Sequence, residues 1–303
     1  MKRCAVFLLA LTALLAQNSV EGPITAWIWD REAAGIRPIL GLPGASVFGE
    51  LLDCGVRFTT VATTRRFSLG VAAEDGQAYL IRPFAAAKAA PLAQIPPGAS
   101  RIVLSPSGDS AAFLYEDSHR ISWVSGLPER VEVRHYNLEN TPSKLAVSDG
   151  GAFLAVSLPD GLHILDRESN RWKLGHEGVL AALEFLHGSH DLLLGDERGL
   201  WLIRNVRNPD HAMLLDTPIR ALAAAADRSQ VVALDSEARL LLFQLSDRTV
   251  RLMTPPVEPS GLSRLEGHLF RIHSLRDEPM WLLDLSGPEP RMAFVPARKT
   301  DAL

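Results

Sequence analysis

One acidic turn recurs six times along the chain, and this recurrence strongly limits the folds available to it. Each turn separates two short apolar runs. The aspartates at its centre lie 42, 43, 36, 39 and 42 residues apart, a mean of about 40. They are Asp75, Asp117, Asp160, Asp196, Asp235 and Asp277. A repeat of about 40 residues is the period of a four-stranded propeller blade.

The runs beside the turns have the length and composition of β-strands. Residues 111–115 (AAFLY) and 120–124 (RISWV) flank the turn at Asp117, and similar runs flank the other turns. Asp-Gly and related pairs accept the positive φ that tight hairpins require. A third apolar run precedes each hairpin and a more polar run follows it, as at 101–105 and 130–135. The sequence therefore predicts an all-β fold, a β-propeller of four-stranded blades.

The number of blades depends on the N-terminal part of the chain. Six complete units extend from about residue 52 to residue 297. Ahead of them, 25–30 (TAWIWD) and 36–41 (IRPILG) are predicted to be the third and fourth strands of another blade. The missing strands of that blade would come from the C-terminal segment, although the last unit already has four strands of its own through 291–295. Since a ring must close to leave no exposed edges, we expect seven blades, with six as the alternative.

The first residues have the features of a signal peptide. Lys2 and Arg3 precede a thirteen-residue apolar run, 4–16, which is too short to cross a bilayer comfortably. We expect residues 1–16 to be removed, with a cleavage point that extends up to about residue 22, and a retained N-terminal anchor as the alternative. Residues 23–298 then form a single propeller domain and 299–303 a C-terminal tail. The protein is expected to be exported, either periplasmic or secreted.

Charge and cysteine content exclude several classes of function. Removal of Lys2 and Arg3 leaves 29 basic against 35 acidic residues, a net charge of −6. A mildly acidic surface has no electrostatic basis for binding nucleic acid or an anionic membrane, and no second apolar stretch is long enough to span one. Cys54 is the one cysteine left after processing, so an intrachain disulfide is impossible. We expect it to pack as a small hydrophobic residue.

Several short motifs resemble those of the WD40, TolB-like and YVTN-type propeller repeats found in exported bacterial proteins. They are Ser105-Pro106-Ser107-Gly108-Asp109, Trp29-Asp30, Leu165-Asp166, Leu283-Asp284, Gly175-His176 and Gly267-His268. The resemblance covers nearly the whole mature chain and implies a propeller. Most units depart from the WD40 pattern because they lack Trp-Asp and Gly-His together. The resemblance therefore implies neither the hydrogen-bonded WD40 tetrad nor the activity of one family.

Motifs for catalysis or cofactor binding are not evident in the sequence. His187-Gly188-Ser189-His190 has HxxH spacing but lacks the glutamate of a zinc-protease helix and falls in a predicted turn. No Gly-x-Ser-x-Gly elbow or phosphate-binding glycine loop occurs. Each acidic turn offers one or two carboxylates, fewer than the six to eight oxygens that calcium takes. We predict no cofactor and no metal site.

The remaining candidates lie in loops that lead into the innermost strands, where propeller enzymes gather ligands for a central metal ion. They are Glu139, Asn140, His176, Glu177, Asp216 and Glu258. Function must be inferred from such a site, since propellers host many activities. We expect a monomeric, non-catalytic propeller that binds a protein or peptide through one loop-lined face. The alternative is a hydrolase or lactonase-like enzyme with a divalent ion in the central channel.

Overall fold

The computed structural model describes residues 22–82, 88–276 and 279–297. Within them, seven antiparallel sheets follow one another along the chain, and each sheet is formed by consecutive strands. The expected all-β propeller with seven blades is confirmed. One short 3-10 turn at Asp149–Gly151 is the sole helical element among the described residues. The predicted signal peptide, the C-terminal tail and the turn at Asp277 lie outside these residues.

Blades 1 to 4 contain the first fifteen strands. Blade 1 has β1 (Ile24–Asp30), β2 (Gly35–Leu42) and β3 (Ala45–Phe48); blade 2 has β4 (Phe58–Thr63), β5 (Ser68–Ala72), β6 (Ala78–Arg82) and β7 (Lys88–Pro91). Blade 3 has β8 (Arg101–Leu104), β9 (Ser110–Tyr115), β10 (Arg120–Ser125) and β11 (Glu132–Asn137); blade 4 has β12 (Lys144–Val147), β13 (Phe153–Leu158), β14 (Gly161–Asp166) and β15 (Arg171–Leu174).

Blades 5 to 7 complete the ring with four strands each. Blade 5 has β16 (Ala182–Phe185), β17 (Leu192–Gly195), β18 (Leu200–Arg204) and β19 (Asp210–Leu215); blade 6 has β20 (Ile219–Ala224), β21 (Gln230–Asp235), β22 (Leu240–Gln244) and β23 (Val250–Met253). Blade 7 has β24 (Pro259–Glu266), β25 (Leu269–Ser274), β26 (Met280–Asp284) and β27 (Arg291–Val295). The last unit therefore does use four strands of its own, as its sequence predicts.

Hydrophobic side chains between adjacent blades hold the ring together. Successive side chains of β13 point to opposite faces of the sheet. Because a neighbouring blade covers each face, the strand is buried along its whole length. Phe153 and Ala155 pack towards blade 5, whereas Leu154 and Val156 pack towards blade 3. Seven such apolar clusters form, one at each boundary between neighbouring blades. This explains why inner strands read as continuous apolar runs and outer strands as more polar ones.

Two faces of the disc carry different connections. On the upper face lie the loops that lead into the innermost strands and the turns that join second to third strands. On the lower face lie the turns that join first to second strands, such as 105–109 and 148–152. The five recurring acidic turns within the described residues join second to third strands, so they lie together on the upper face. Their repetition follows from hairpin geometry, as in Asp75, whose carboxylate accepts the Gln77 amide at 2.9 Å.

Blade 1 differs from the prediction in the role of its strands. The Phe58 amide, at the start of β4, donates to the Ala34 carbonyl in the β1–β2 turn. The same bond joins Ile219, at the start of β20, to Asp196 in the β17–β18 turn. The β1–β2 turn therefore corresponds to the turns that join second to third strands on the upper face in the other blades. Asp30 is a seventh member of the series of acidic turn residues. Strands β1 and β2 correspond to second and third strands, so their prediction as third and fourth strands was wrong.

Within the part of the chain that the structure describes, the ring closes without a strand exchanged between its ends. Strand β1 packs against both β4 and β24 and completes the inner ring, although it matches the second strands of other blades. Among the described residues blade 1 has three strands, and the C-terminal strand β27 belongs to blade 7. The predicted contribution of the C-terminal segment to blade 1 is not found among the described residues, because β27 pairs with β26 in blade 7. Side-chain packing between blades 7 and 1 closes the ring instead.

Candidate functional site

A cleft of about 1090 Å³ opens on the upper face at the boundary between blades 4 and 5. The turn at 157–161 forms one side of it, the loop at 175–179 crosses it, and the first residues of β18 form the other side. Leu158, Pro159 and Trp201 give it apolar surface. It is therefore a mixed polar and apolar groove of the size that binds a ligand or peptide.

The floor of the cleft contains a buried cluster around Asp196, which has no exposed surface. Its carboxylate accepts hydrogen bonds from the Gly199 amide (2.7 Å), the Arg198 amide (2.8 Å) and the Trp201 indole (3.1 Å). His176 Nε2 lies 3.1 Å from its other oxygen, and the His176 ring meets the Trp201 ring edge-to-face. This cluster ties the incoming loop of blade 5 to the acidic turn of the same blade.

Protonation states in this cluster follow from burial and hydrogen bonding. Burial lowers the pKa of His176, against the opposing effect of the Asp196 charge, so the imidazole is neutral near pH 7. With its proton on Nε2, it donates to Asp196. Burial would raise the pKa of Asp196, but bonds from Gly199, Trp201 and Arg198 outweigh it and hold that pKa below the ordinary value. Because its functional groups are engaged with one another, the cluster supports the loop.

The blade 4 side of the cleft carries a second histidine–aspartate pair. His163 Nε2 lies 2.9 Å from Asp160 Oδ2, and Arg171 Nε donates to His163 Nδ1 at 3.2 Å. The bond from His163 lowers the pKa of Asp160, which keeps a negative charge on the exposed turn. The arginine holds the imidazole proton on Nε2, so His163 is a donor towards Asp160 and has no free nitrogen lone pair for proton abstraction.

The rim of the cleft is exposed and carries both apolar and charged side chains. Val179 is 82% exposed on the loop that crosses the cleft, and Pro159 is exposed in the turn at 157–161. Lys173, Glu177 and Arg198 are exposed beside them. An exposed valine among mixed charges on a structured loop is a surface that a polypeptide partner can contact with both apolar and polar groups.

The six residues predicted for the channel mouth lie in four separate loops of the upper face. His176 and Glu177 line the cleft, with His176 buried and Glu177 exposed. Glu139 and Asn140 are exposed before β12, Asp216 is exposed before β20, and Glu258 is exposed before β24. None of the six is among the residues that line the central cavity. Their joint role at a channel mouth stays a prediction.

Glu184 and Arg264 are among the charged residues of the central channel, and the sequence analysis did not single them out. A cavity of about 690 Å³ is lined by the innermost strands of blades 2 to 7. Glu184 accepts a hydrogen bond from the Ala224 amide at 3.3 Å, and Arg264 donates to the Ala224 carbonyl (3.3 Å) and across the channel to the Pro106 carbonyl (2.5 Å). Glu184 is partly buried in the channel, and desolvation raises its pKa to about 7, against the opposing charge of Arg264.

The arrangement offers no evident metal centre. Among the described residues, no group of three or more His, Cys, Asp or Glu side chains is placed to hold a metal ion. His187 lies 2.9 Å from Asp149 in a link between the lower-face turns of blades 5 and 4, and the His190 ring meets the Phe153 ring edge-to-face. The HxxH pair thus has structural contacts in a turn, as its sequence suggested. In the part of the chain that the structure describes, no helix is both long and apolar enough to cross a membrane.

Comparison with known proteins places the fold. No protein-family model matches the chain, and no curated protein matches its sequence. The crystal structure of the RRP9 WD40 repeats matches with a TM-score of 0.58 and 15% identity, over 80% of this chain and 81% of that chain. A functionally unknown protein from Desulfotomaculum acetoxidans DSM 771 matches with a TM-score of 0.61 and 11% identity, over 90% and 99%.

At such identities the likeness shows the fold alone. The chain is a seven-bladed β-propeller, and its fold is similar to that of the RRP9 WD40 repeats. The resemblance drawn from its short motifs is confirmed at this level.

Proposed function

We propose that this protein is a non-catalytic propeller that binds a protein or peptide in the cleft between blades 4 and 5. The observation that carries the proposal is the exposed apolar and charged rim around Val179 above a rigid floor. Asp196 and its partners hold the loop at 175–179 in place, so a partner meets a preformed surface. Two histidines at the cleft, His163 and His176, are paired with carboxylates.

We also propose that the protein acts outside the cytoplasm as a monomer, after removal of residues 1–16. The basic start and the short apolar run support export, and the single cysteine of the mature chain suits an oxidising compartment. N-terminal sequencing of the protein recovered from its native cells tests this proposal. An intact Met1 on the recovered protein would contradict it.

Site-specific photo-crosslinking tests the binding site. A photoreactive residue at Val179 is expected to give discrete adducts with one polypeptide. The matched control is Leu275, which is 89% exposed in the second-to-third strand turn of blade 7, also on the upper face. The identified partner is then expected to bind Val179→Asp at least 10-fold more weakly than Leu275→Asp, because a charge in the rim must be desolvated.

Two results would overturn the proposal. The first is equal adduct formation at Val179 and Leu275, which indicates non-specific contact. The second is a stoichiometric divalent ion in the purified mature protein that only a chelator removes, because such an ion would favour the alternative of a propeller hydrolase.

A further inference from the structure

The central cavity of about 690 Å³ belongs to the lower half of the channel. Its wall includes residues of the lower-face turns of blades 2, 3, 5, 6 and 7 and none from the loops of the upper face. It shares no lining residue with the cleft between blades 4 and 5. A cavity of this size holds a small molecule. It is therefore a second concave site, independent of the proposed function.

Two arginines line this cavity from the turn between β4 and β5. Arg65 and Arg66 are both exposed there. The Thr64 hydroxyl accepts hydrogen bonds from the Arg66 amide (3.2 Å) and the Phe67 amide (3.1 Å), so the turn is held in place. Within the described residues, neither guanidinium forms an ion pair or a hydrogen bond. Both groups are therefore available to a ligand at the lower mouth of the channel.

A third guanidinium, that of Arg264 in β24, crosses the cavity. It donates to the Ala224 carbonyl at 3.3 Å and to the Pro106 carbonyl at 2.5 Å. A guanidinium carries five N–H donors in a planar fork, so donors remain after these two bonds. No carboxylate of the described residues forms an ion pair with it. Arg264 is thus fixed in position by carbonyl groups without being neutralised.

The acidic residues of the cavity wall do not balance these three positive charges. They are Glu184 and Glu266, while His187 lines the wall and is engaged with Asp149. Desolvation raises the pKa of Glu184 to about 7, so part of its population is neutral at that pH. The cavity therefore has an excess of positive charge, in a chain whose formal net charge is −4. Protein walls of low dielectric strengthen the attraction of such a cavity for anions.

We propose that the lower end of the central channel binds a small organic or inorganic molecule that carries more than one oxyanion group, carboxylate or phosphate. Arg65 and Arg66 contact it at the mouth, and Arg264 contacts it inside the channel. A planar guanidinium matches either kind of oxyanion through two parallel hydrogen bonds. The innermost strands of six blades bound the cavity, so its shape suits a small molecule and excludes a folded partner.

Isothermal titration calorimetry of the purified protein at pH 8 tests the proposal, with citrate as the carboxylate probe and inorganic pyrophosphate as the phosphate probe. At least one of them is expected to bind saturably with one-to-one stoichiometry, and the tighter of the two identifies the chemistry. The double variant Arg65→Gln/Arg66→Gln is expected to bind it about 10-fold more weakly, because two charge-assisted contacts are lost. The matched control is Arg228→Gln/Arg248→Gln, which removes the same charge from two exposed turns of blade 6 outside the cavity. It should retain the wild-type affinity.

A further variant locates the bound anion inside the channel. At pH 8 Glu184 is above its pKa and negatively charged, so Glu184→Gln removes a repulsive charge from the wall. It should tighten binding about 3-fold, since the neutral amide no longer repels the ligand. Val179→Asp should leave the affinity unchanged, so failure of the cleft and failure of this site are distinguishable.

Four results would overturn the proposal. They are binding of neither anion, equal weakening in the two double variants, no gain of affinity in Glu184→Gln, and capture of an acidic peptide where neither small anion binds. The last result would assign the channel to a polypeptide.

Discussion

The boundary between blades 4 and 5 and the boundary between blades 1 and 2 are built very differently. Twelve buried apolar residues fill the first, and the Asp196 cluster and a bond from the Trp172 indole to the Val206 carbonyl reinforce it. The second has four, namely Trp27, Ile36, Phe58 and Ile81. Partly buried residues of the 52–56 segment complete it. Where consecutive four-stranded blades meet, strand faces match along their length, whereas the three-stranded blade leaves space that a loop fills.

This difference predicts where the ring is weakest. The boundaries next to blade 1 contain the two smallest apolar clusters, with eight and four buried residues against ten or more elsewhere. Buried apolar area is the main stabilising contribution, so blade 1 is expected to separate from its neighbours before blades 3 to 6 lose structure.

The largest expected effect is a cavity in the well-packed boundary. Phe153→Ala removes a fully buried ring that packs against Trp172 and His190. It is expected to lower the free energy of unfolding by about 4–5 kcal/mol. Phe58→Ala, the matched change in the boundary of blade 1, is expected to cost about 3 kcal/mol because its surroundings are less completely buried. Urea unfolding measures both, and equal losses would contradict the comparison.

A smaller effect is the pH dependence of stability that comes from Glu184 of blade 5, which interacts with blades 6 and 7 in the channel. Glu184 has an ordinary pKa of 4.5 when unfolded and about 7 when folded. Between these values the unfolded chain ionises while the folded protein retains the proton, so stability falls as pH rises from 4.5 to 7. The fall is at most about 3 kcal/mol, at 1.36 kcal/mol per unit.

Glu184→Gln is expected to remove this pH dependence, because an amide does not titrate. Thermal unfolding from pH 4.5 to 8 measures it, and a variant with the same pH profile as the wild type would disprove the role of Glu184. Phe58→Ala changes a side chain between blades 1 and 2 that does not line the central cavity, so it should keep the wild-type profile and serves as the control.

The next effect tests the polar reinforcement of the well-packed boundary. Asp196→Asn keeps the shape of the side chain but replaces one acceptor oxygen with an NH2 donor, beside groups that themselves donate. It is expected to lower the free energy of unfolding by about 2 kcal/mol. Asp75→Asn is the control, because Asp75 is exposed in the equivalent turn of blade 2 and should cost less than about 0.5 kcal/mol. Similar losses at the two sites would mean that the cluster adds nothing beyond the turn itself.

The smallest effect is a local one at Cys54, which reports on the boundary of blade 1. The residue is half-buried against blade 2, and burial raises the pKa of its thiol. In a Cys4→Ser background, alkylation is expected to be slow in native buffer. It should accelerate at urea concentrations below the main unfolding transition, as blade 1 separates. If alkylation and global unfolding coincide, the boundary does not open first.

The sequence predicted most of the fold because the blade repeat is local. A turn of Asp and Gly between two apolar runs specifies a hairpin, and six such hairpins at a spacing of about 40 residues specify a propeller. Asp30 belongs to the same series, but it was missed because no first strand precedes it among the described residues. The hydrogen bond from the Phe58 amide to the Ala34 carbonyl shows the direction of β1. No local sequence pattern predicts this bond.

The candidate site was less predictable, because it depends on contacts between distant residues. His176 was singled out as a loop residue, but its partner Asp196 is twenty positions away and its burial comes from Trp201. Glu184 was visible in the sequence as an acid within an apolar inner strand, at 180–185 (LAALEF). Its contact with Ala224 and its position near Arg264 require the closed ring.

The closure of the ring by side-chain packing has a mechanical consequence. In a ring whose first and last strands share one sheet, a load on the chain ends must shear a ladder of backbone hydrogen bonds. Among the described residues the first strand belongs to blade 1 and the last to blade 7, so between these two blades the same load meets side-chain contacts, such as those of Ala26, Ile28 and Ile39, and no shared ladder. The ends would part at low force, and the blades would then unravel one after another from both termini.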